Sequence, residues 1–438
     1  MGVTFRTFLW ALIGVLSVNS VSALTLEEAL TESLQNSRKL ASAKQAWLAA
    51  REAVYSSSSS NGNSISFSGS TSYSKTKTGS SWSPSNTYSN TITLSKNIYD
   101  FGKEKENTIL AKIQLTRAYA SYKNIEQNVI LETVKAYLNV FKTRRDFKLN
   151  EQNLNRLAAH VSAAELQVSE GTGTPTRLAE AEARYSRAKS DKAKAKANME
   201  NAEDLFTKLT EIDKNRMIRN KKMPELVYEL PTTINETANI ANEKNPNVLN
   251  ALAGEKAASQ SIKTFKTQQR PDVSFSLSAS EGKKSDSWSA SVSLSSPLYD
   301  SSSTDANARK TVASHAKAKF DLDEARLTAQ VDARAAFRNW EAAIVTLEAV
   351  HSEAEASRLA ADGVRKEVKF GLKTNLNLLD SEKSVNDADL RLVSAEHDKM
   401  VAAFSLRAAV GTLTSEDLGL IELKMNLNEL PRPENPLD

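Results

Sequence analysis

Leu94-Ser95-Lys96-Asn97-Ile98-Tyr99-Asp100 closes a Ser/Thr-rich alternating stretch and opens a long proline-free one. The same change recurs 200 positions later at Leu294-Ser295-Ser296-Pro297-Leu298-Tyr299-Asp300. Across each copy the spacing of apolar residues switches from two to that of a helix. A short carboxylate at such a boundary accepts the orphan N–H groups of a helix start, so Asp100 and Asp300 are expected to cap the helices that follow. A boundary duplicated in this way makes two tandem halves.

Upstream of the first copy, Ile65, Phe67, Gly69, Thr71 and Tyr73 alternate with Ser64, Ser66, Ser68, Ser70 and Ser72. A polar loop with Gly79 and Pro84 is expected over 75–87, followed by a strand from Tyr88 to Ile98. Upstream of the second copy, Val273, Phe275, Leu277 and Ala279 alternate with serines. A short loop over 281–286 leads to Trp288, Ala290, Val292 and Leu294, which alternate with serines again. The expected hairpins are 64–98 and 272–298. One apolar face and one hydroxyl face fit strands between lipid and a wet lumen. A soluble sandwich would need a second apolar layer, which the rest of the chain does not supply, and a flexible Ser-rich stalk would not alternate.

Four strands cannot close a barrel, and an open edge in lipid leaves unpaired backbone groups at several kcal/mol each. Other copies of the chain must therefore complete the barrel. Three copies give twelve strands; two give eight, which barely leaves a lumen.

Helical spacing runs from Lys103 to Ser169 and from Asp305 to Phe370. Each run would be about 100 Å long. Each meets a turn, Glu170-Gly171-Thr172-Gly173-Thr174-Pro175 or Phe370-Gly371-Leu372-Lys373-Thr374-Asn375, where glycine marks the helix end. Shorter helices return over Thr176–Lys208 and Leu376–Val410. The opening segment Leu24–Tyr55 and its counterpart Thr233–Phe265 are expected as helices that stack on the return helices and complete their length. Alanine at many core-spaced positions suits a hollow cylinder better than a solid coiled coil, which would show denser Leu and Ile. The expected division is a first repeat at 24–208, a linker at 209–232, a second repeat at 233–410 and a C-terminal segment at 411–438. The linker and C-terminal segment are expected near the middle of the rod.

Residues 1–23 read as a secretory signal: Arg6, an apolar stretch from Phe8 to Leu16, and Val21-Ser22-Ala23 before the cut. The apolar stretch falls short of a membrane span, and no later segment is long and apolar enough for one. There is no cysteine, so a disulfide framework and a thiolate metal site are excluded. A net charge of +4 is too balanced to argue for nucleic acid. His160, His315, His351 and His397 share no motif and are expected as solvated helix residues. No phosphate loop, nucleophile elbow or metal-spacing cluster is present, so neither an enzyme nor a cofactor is expected.

The tandem halves and the Tyr-Asp junction resemble the TolC family of bacterial outer-membrane exit channels. Ser296-Pro297-Leu298-Tyr299-Asp300 is similar to that family's strand exit. Phe370-Gly371-Leu372-Lys373-Thr374 with Leu378-Leu379-Asp380 is similar to its second-half tip. Glu170-Gly171-Thr172-Gly173-Thr174 with Ala179-Glu180-Ala181 is similar to the first-half tip of its type I secretion members. The resemblance implies a mainly α fold with a membrane β-barrel portion. It further implies a homotrimer, with a twelve-stranded barrel in outer-membrane lipid and an α-helical periplasmic barrel below. The implied partners are a periplasmic adaptor (membrane fusion) protein and an inner-membrane ABC or proton-driven transporter. The implied cargo is a secreted polypeptide or, alternatively, small molecules; a non-conducting periplasmic rod is the remoter alternative. Gating residues carried over by the resemblance lie at the tips. Asn377 and Asp380 stand where the family places rings of acidic residues. Lys373 stands where it places a base facing an acid, but the residue aligned with that acid is Arg177, with Glu180 one turn on. Tyr99 and Tyr299 are expected at the inner membrane rim.

Overall fold

The computed structural model describes residues 24–212, 230–283, 285–298 and 303–420. The expected signal segment and the second junction pair, Tyr299 and Asp300, lie outside those residues, as do most of the linker and the end of the C-terminal segment.

In chain order the elements are α1 (Leu26–Asn36), α2 (Arg38–Ser58), β1 (Ser64–Thr78), β2 (Ser81–Tyr99), α3 (Lys103–Ser169) and α4 (Pro175–Thr210). The second half follows with α5 (Ile234–Lys244), α6 (Pro246–Gln268), β3 (Asp272–Gly282), β4 (Asp286–Ser295), α7 (Ser303–Lys369) and α8 (Asn375–Val410). α3 and α7 are each 67 residues and α4 and α8 are each 36, and each pair is offset by 200 positions. Both long helices and both return helices match the expected segments to within a few residues.

The opening segments differ from expectation: each is two helices rather than one. Ser37 interrupts the first, and its hydroxyl accepts from Leu40 N at 3.3 Å to start α2. In the second half the break is Asn245-Pro246, where proline drives its predecessor out of the helical region. These breaks lie where the opening segments meet the return helices end to end. Asn36 Nδ2 donates to Thr210 O (3.2 Å), capping α4, and Asn245 Nδ2 donates to Ala409 O (2.9 Å), capping α8. Gly411, at φ 85°, ends α8 so close to α5 that an added Cβ would collide with Lys244 O.

Toward the strands, the helices lie side by side in the order α2, α3, α6, α7; toward the tips the order is α4, α3, α8, α7. The protomer is thus one layer of four helical columns. Along α4 the buried residues Ala181, Ala188, Ala195 and Ala202 recur every seven positions, so its seam is built of methyl groups. The larger side chains concentrate at mid-rod, where Leu30, Ile130, Tyr137, Leu138, Phe206 and Phe404 form the main core. Leu413 and Leu418, from the segment after α8, are part of it.

The four strands form one antiparallel sheet in the order β1-β2-β3-β4. No loop occupies 75–87. β1 and β2 pair on to Thr78↔Ser81 around a two-residue turn, with Gly79 at φ 63°. The hydroxyl alternation continues through Thr76, Ser83, Ser85 and Thr87, which explains the added length. Pro84 is tolerated because β3 reaches β2 only as far as Ser89, so among the described residues this stretch pairs with β1 alone. One sheet face carries hydroxyls that bridge the strands, as in Ser64 with Ser95 (2.7 Å), Thr91 with Ser280 (2.8 Å) and Ser276 with Ser291 (2.8 Å). The other face presents Phe67, Ile92, Trp288 and Val292, all exposed.

Candidate functional site at the helical tips

The two tips are built alike. Gly171 and Gly371 both sit at φ 71°, a left-handed conformation that a Cβ would strain. At the second tip Leu372 N donates to Glu367 O (2.9 Å) and Gly371 N to Val368 O (3.0 Å), the Schellman closure of a helix end. At the first, Thr172 N and Gly173 N both reach Gln167 O. Thr174 and Thr374 then cap the return helices, their hydroxyls accepting from Arg177 N and Asn377 N (both 3.4 Å).

The charged residues sort differently from the pairings that sequence brought forward. Lys373 Nζ meets Glu367 Oε2 of its own hairpin at 2.8 Å. Neither Arg177 nor Glu180 enters an ion pair among the described residues. Asn377 is occupied in a capping box, its Oδ1 accepting from Thr374 N (3.1 Å) and Thr374 Oγ1 (2.7 Å). Asp380 is paired with Arg184 of α4 (2.7 Å), although its side chain stays 59% exposed. Glu180, Arg184, Asp380 and Glu382 line one groove of about 830 Å³ between α3, α4 and α8.

Glu382 was not singled out by sequence. It is buried, accepting from His160 Nε2 on α3 (3.0 Å) and Arg365 Nη2 on α7 (3.2 Å). The His160 hydrogen bond does most to hold its carboxyl below the ordinary range; burial opposes this and Arg365 reinforces it. Glu382 thereby ties three helices together a few turns above the tips. His160 is accordingly not a solvated residue, and neither is His315, whose Nε2 lies 2.9 Å from Glu255 Oε1. Helical spacing could not show this, because the partners come from other elements.

At the opposite end, the N-cap position of α3 is Gly102 rather than the expected Asp100, and the capping carboxylate works from two residues before it. Phe101 (φ 52°) and Gly102 (φ 92°) turn the chain, and Asp100 accepts from Gly102 N (2.9 Å), Glu104 N (2.6 Å) and Asn61 Nδ2 (3.0 Å). Burial pushes the Asp100 carboxyl up, but these donors outweigh it and hold it below the usual range. Lys103 Nζ to Asp272 Oδ1 (2.9 Å) and Arg270 Nη1 to Phe101 O (3.0 Å) bind this junction to the start of β3.

The family model of outer membrane efflux proteins matches residues 29–210 and again 237–412, one match on each tandem half. The chain belongs to that family. The chain is 27% identical over 351 residues to outer membrane efflux protein BepC of Brucella suis, covering 77% of this chain and 76% of BepC. It is 21% identical over 378 residues to TolC of Escherichia coli, covering 80% and 75%. A shorter stretch of 143 residues is 26% identical to alkaline protease secretion protein AprF of Pseudomonas aeruginosa, covering 33% and 30%. The fold is that of the Campylobacter jejuni CmeC outer membrane channel, with a TM-score of 0.75 at 16% identity over 88% of this chain and 85% of that one. The expected TolC resemblance therefore holds, and the place of this chain is the outer membrane. The family is one of channels, not of enzymes.

Proposed function

We propose that three copies of this chain close a twelve-stranded barrel in outer-membrane lipid above an α-helical periplasmic tunnel. This channel is the exit duct of a tripartite export system, docked by a periplasmic adaptor and an inner-membrane transporter. The observation that carries the reading is the open sheet: β1 and β4 each leave one edge unpaired, on strands whose apolar face is suited to lipid. α7 repeats the pattern in the helical part. It stands at the end of the helical layer with Phe320, Leu327, Val331 and Val345 exposed, a stripe that a second copy would cover.

The tips are the gate of this reading. Gly171 and Gly371 set the turns, and Asp380 of three copies would ring the narrow end. Arg184 beside each Asp380 offsets its charge, and Asn377 adds none, so the ring selects cations weakly. Arg177, Glu180 and Lys373 edge the same end.

For cargo, the reading is type I secretion of a polypeptide through an ABC transporter, supported by the first-half tip and by the secretion role in the name of AprF. Small-molecule efflux through a proton-driven pump is the second reading, supported by the name of BepC. Purified protein is expected to run as a heat-modifiable trimer and to conduct in a planar bilayer, more so with Asp380→Ala and Lys373→Ala combined. A stable monomer, or silence even in that variant, overturns the channel. A strain lacking the chain should lose a polypeptide from its medium. Intact secretion with lost dye tolerance instead carries the efflux reading.

A further inference from the structure

The strand register assigns each barrel residue a height as well as a face. On the apolar face the lowest level sets Tyr99 and Leu294 beside Val273. The next levels up β2 are Lys96, Leu94, Ile92, Asn90 and Tyr88. Each level advances two residues, about 5 Å along the membrane normal at a tilt of ~40°. Tyr99 and Tyr88 are thus about 25 Å apart, the separation of the two aromatic girdles of an outer-membrane barrel.

At that height β3 has ended, its last partner on β2 being Ser89 opposite Gly282. β1 and β2 alone continue, from Thr71↔Tyr88 to Thr78↔Ser81, as a two-stranded ribbon. On the outward face of this ribbon, above Tyr73, stand Lys75 opposite Pro84 and Lys77 opposite Trp82. Lys77 Nζ lies 5.9 Å from the centre of the Trp82 ring. Residues 62–99 contain no Asp or Glu, so nothing on this hairpin neutralises the two lysines. The β3–β4 hairpin differs in balance: Lys283 and Lys284 lie in sequence between Glu281 and Asp286, which stand opposite one another and offset them. Counted from Tyr88 at the same ~5 Å per level, Lys75 stands about 10 Å and Lys77 with Trp82 about 15 Å above the upper girdle, a cationic, aromatic face at the height of the outer-leaflet headgroups.

Resting on the barrel placement above, we propose that the outward face of the β1–β2 ribbon binds the phosphorylated sugar headgroup of the outer-leaflet glycolipid. Lys75 and Lys77 meet its phosphates, and the exposed Trp82 ring packs against a sugar face. Charge complementarity selects the phosphate, and the ring selects a glycolipid over a phospholipid. The ribbon is then clamped upright outside the pore.

The test uses the full-length oligomer in detergent, with lipid binding followed by native mass spectrometry. The probes are bisphosphorylated lipid A, the same lipid stripped of phosphate, phosphatidylglycerol and inorganic phosphate. Bisphosphorylated lipid A is expected to bind best. Lys75→Ala with Lys77→Ala should weaken it about thirtyfold, and Lys75→Arg with Lys77→Arg should restore it. Trp82→Ala should weaken lipid A without changing phosphatidylglycerol. Unchanged affinity in the double alanine variant overturns the proposal. So does equal binding of phosphatidylglycerol, or displacement of the lipid by equimolar inorganic phosphate. Bilayer conductance of the same preparation separates the two readings: a conducting trimer without lipid A preference overturns only this inference, whereas absence of trimer and conductance overturns the channel itself.

Discussion

Single residues hold the points where elements start, end or meet: Asp100 and Glu382 as acceptors that a methyl cannot replace, Gly411 by having no side chain. Asp100 serves two backbone N–H groups and the Asn61 amide at once. Asp100→Ala is expected to cost about 1–2 kcal/mol, read as a lower unfolding midpoint. Its carboxyl is held below the ordinary value, so the stabilisation is present above that value and is lost as pH falls through the lower folded-state one. Glu382 follows the same sign. Glu382→Gln is expected to cost about 1.5–3 kcal/mol at neutral pH, and its difference from wild type should vanish on acidification; a gap that persists in acid would show that the carboxylate charge is not what ties the three helices. Gly411→Ala forces a Cβ onto Lys244 O and should separate α8 from α5, with faster proteolysis at mid-rod as the measure. Asp100 was legible from its place at a change of period. Glu382 and Gly411 were not, because each is defined by a neighbour distant in sequence.

At the scale of elements, strands and helices use opposite rules for the same purpose, which is to leave one face wet. The strands do it by alternation, so adjacent positions have opposite fates. Phe67→Lys places a charge on the apolar face and is expected to cost about 2–4 kcal/mol near the membrane centre, reducing heat-modifiable trimer. Ser68→Lys, on the hydroxyl face, should leave the trimer intact and shift reversal potential toward anions; equal damage from both would contradict the assignment of faces. The helices do it with small residues. Ala188 lies in a seam repeated at seven-residue intervals, and Ala188→Leu should destabilise by about 1–3 kcal/mol through overpacking. The sequence was misleading over 75–87 and at the two opening segments. Gly79 and Pro84 carry the composition of a loop, yet register with β1 keeps the strand going. Ser37 and Asn245 interrupt otherwise helical patterns because each is needed as a cap where two helices meet.

The whole molecule is one layer of helical columns beneath one open sheet, and both have unfinished edges. That is why completion by further copies follows from the protomer's own surfaces, with three as the proposed number, and why a stable monomer would be the outcome most damaging to it. The sequence alone determined the two halves, their offset, the strand faces, the lengths of the long and return helices, and the positions of the tip glycines. All of these are set by local chemistry: period, caps, and the freedom of glycine at positive φ. Only the tertiary structure decided which charges meet. Lys373 finds Glu367, Asp380 finds Arg184 and Glu382 finds His160 and Arg365, because helix rotation and stacking fix which side chains face one another. It also decided that β1 and β2 outrun β3 and β4. Strand pairing is a property of partners, and no single stretch of chain contains both.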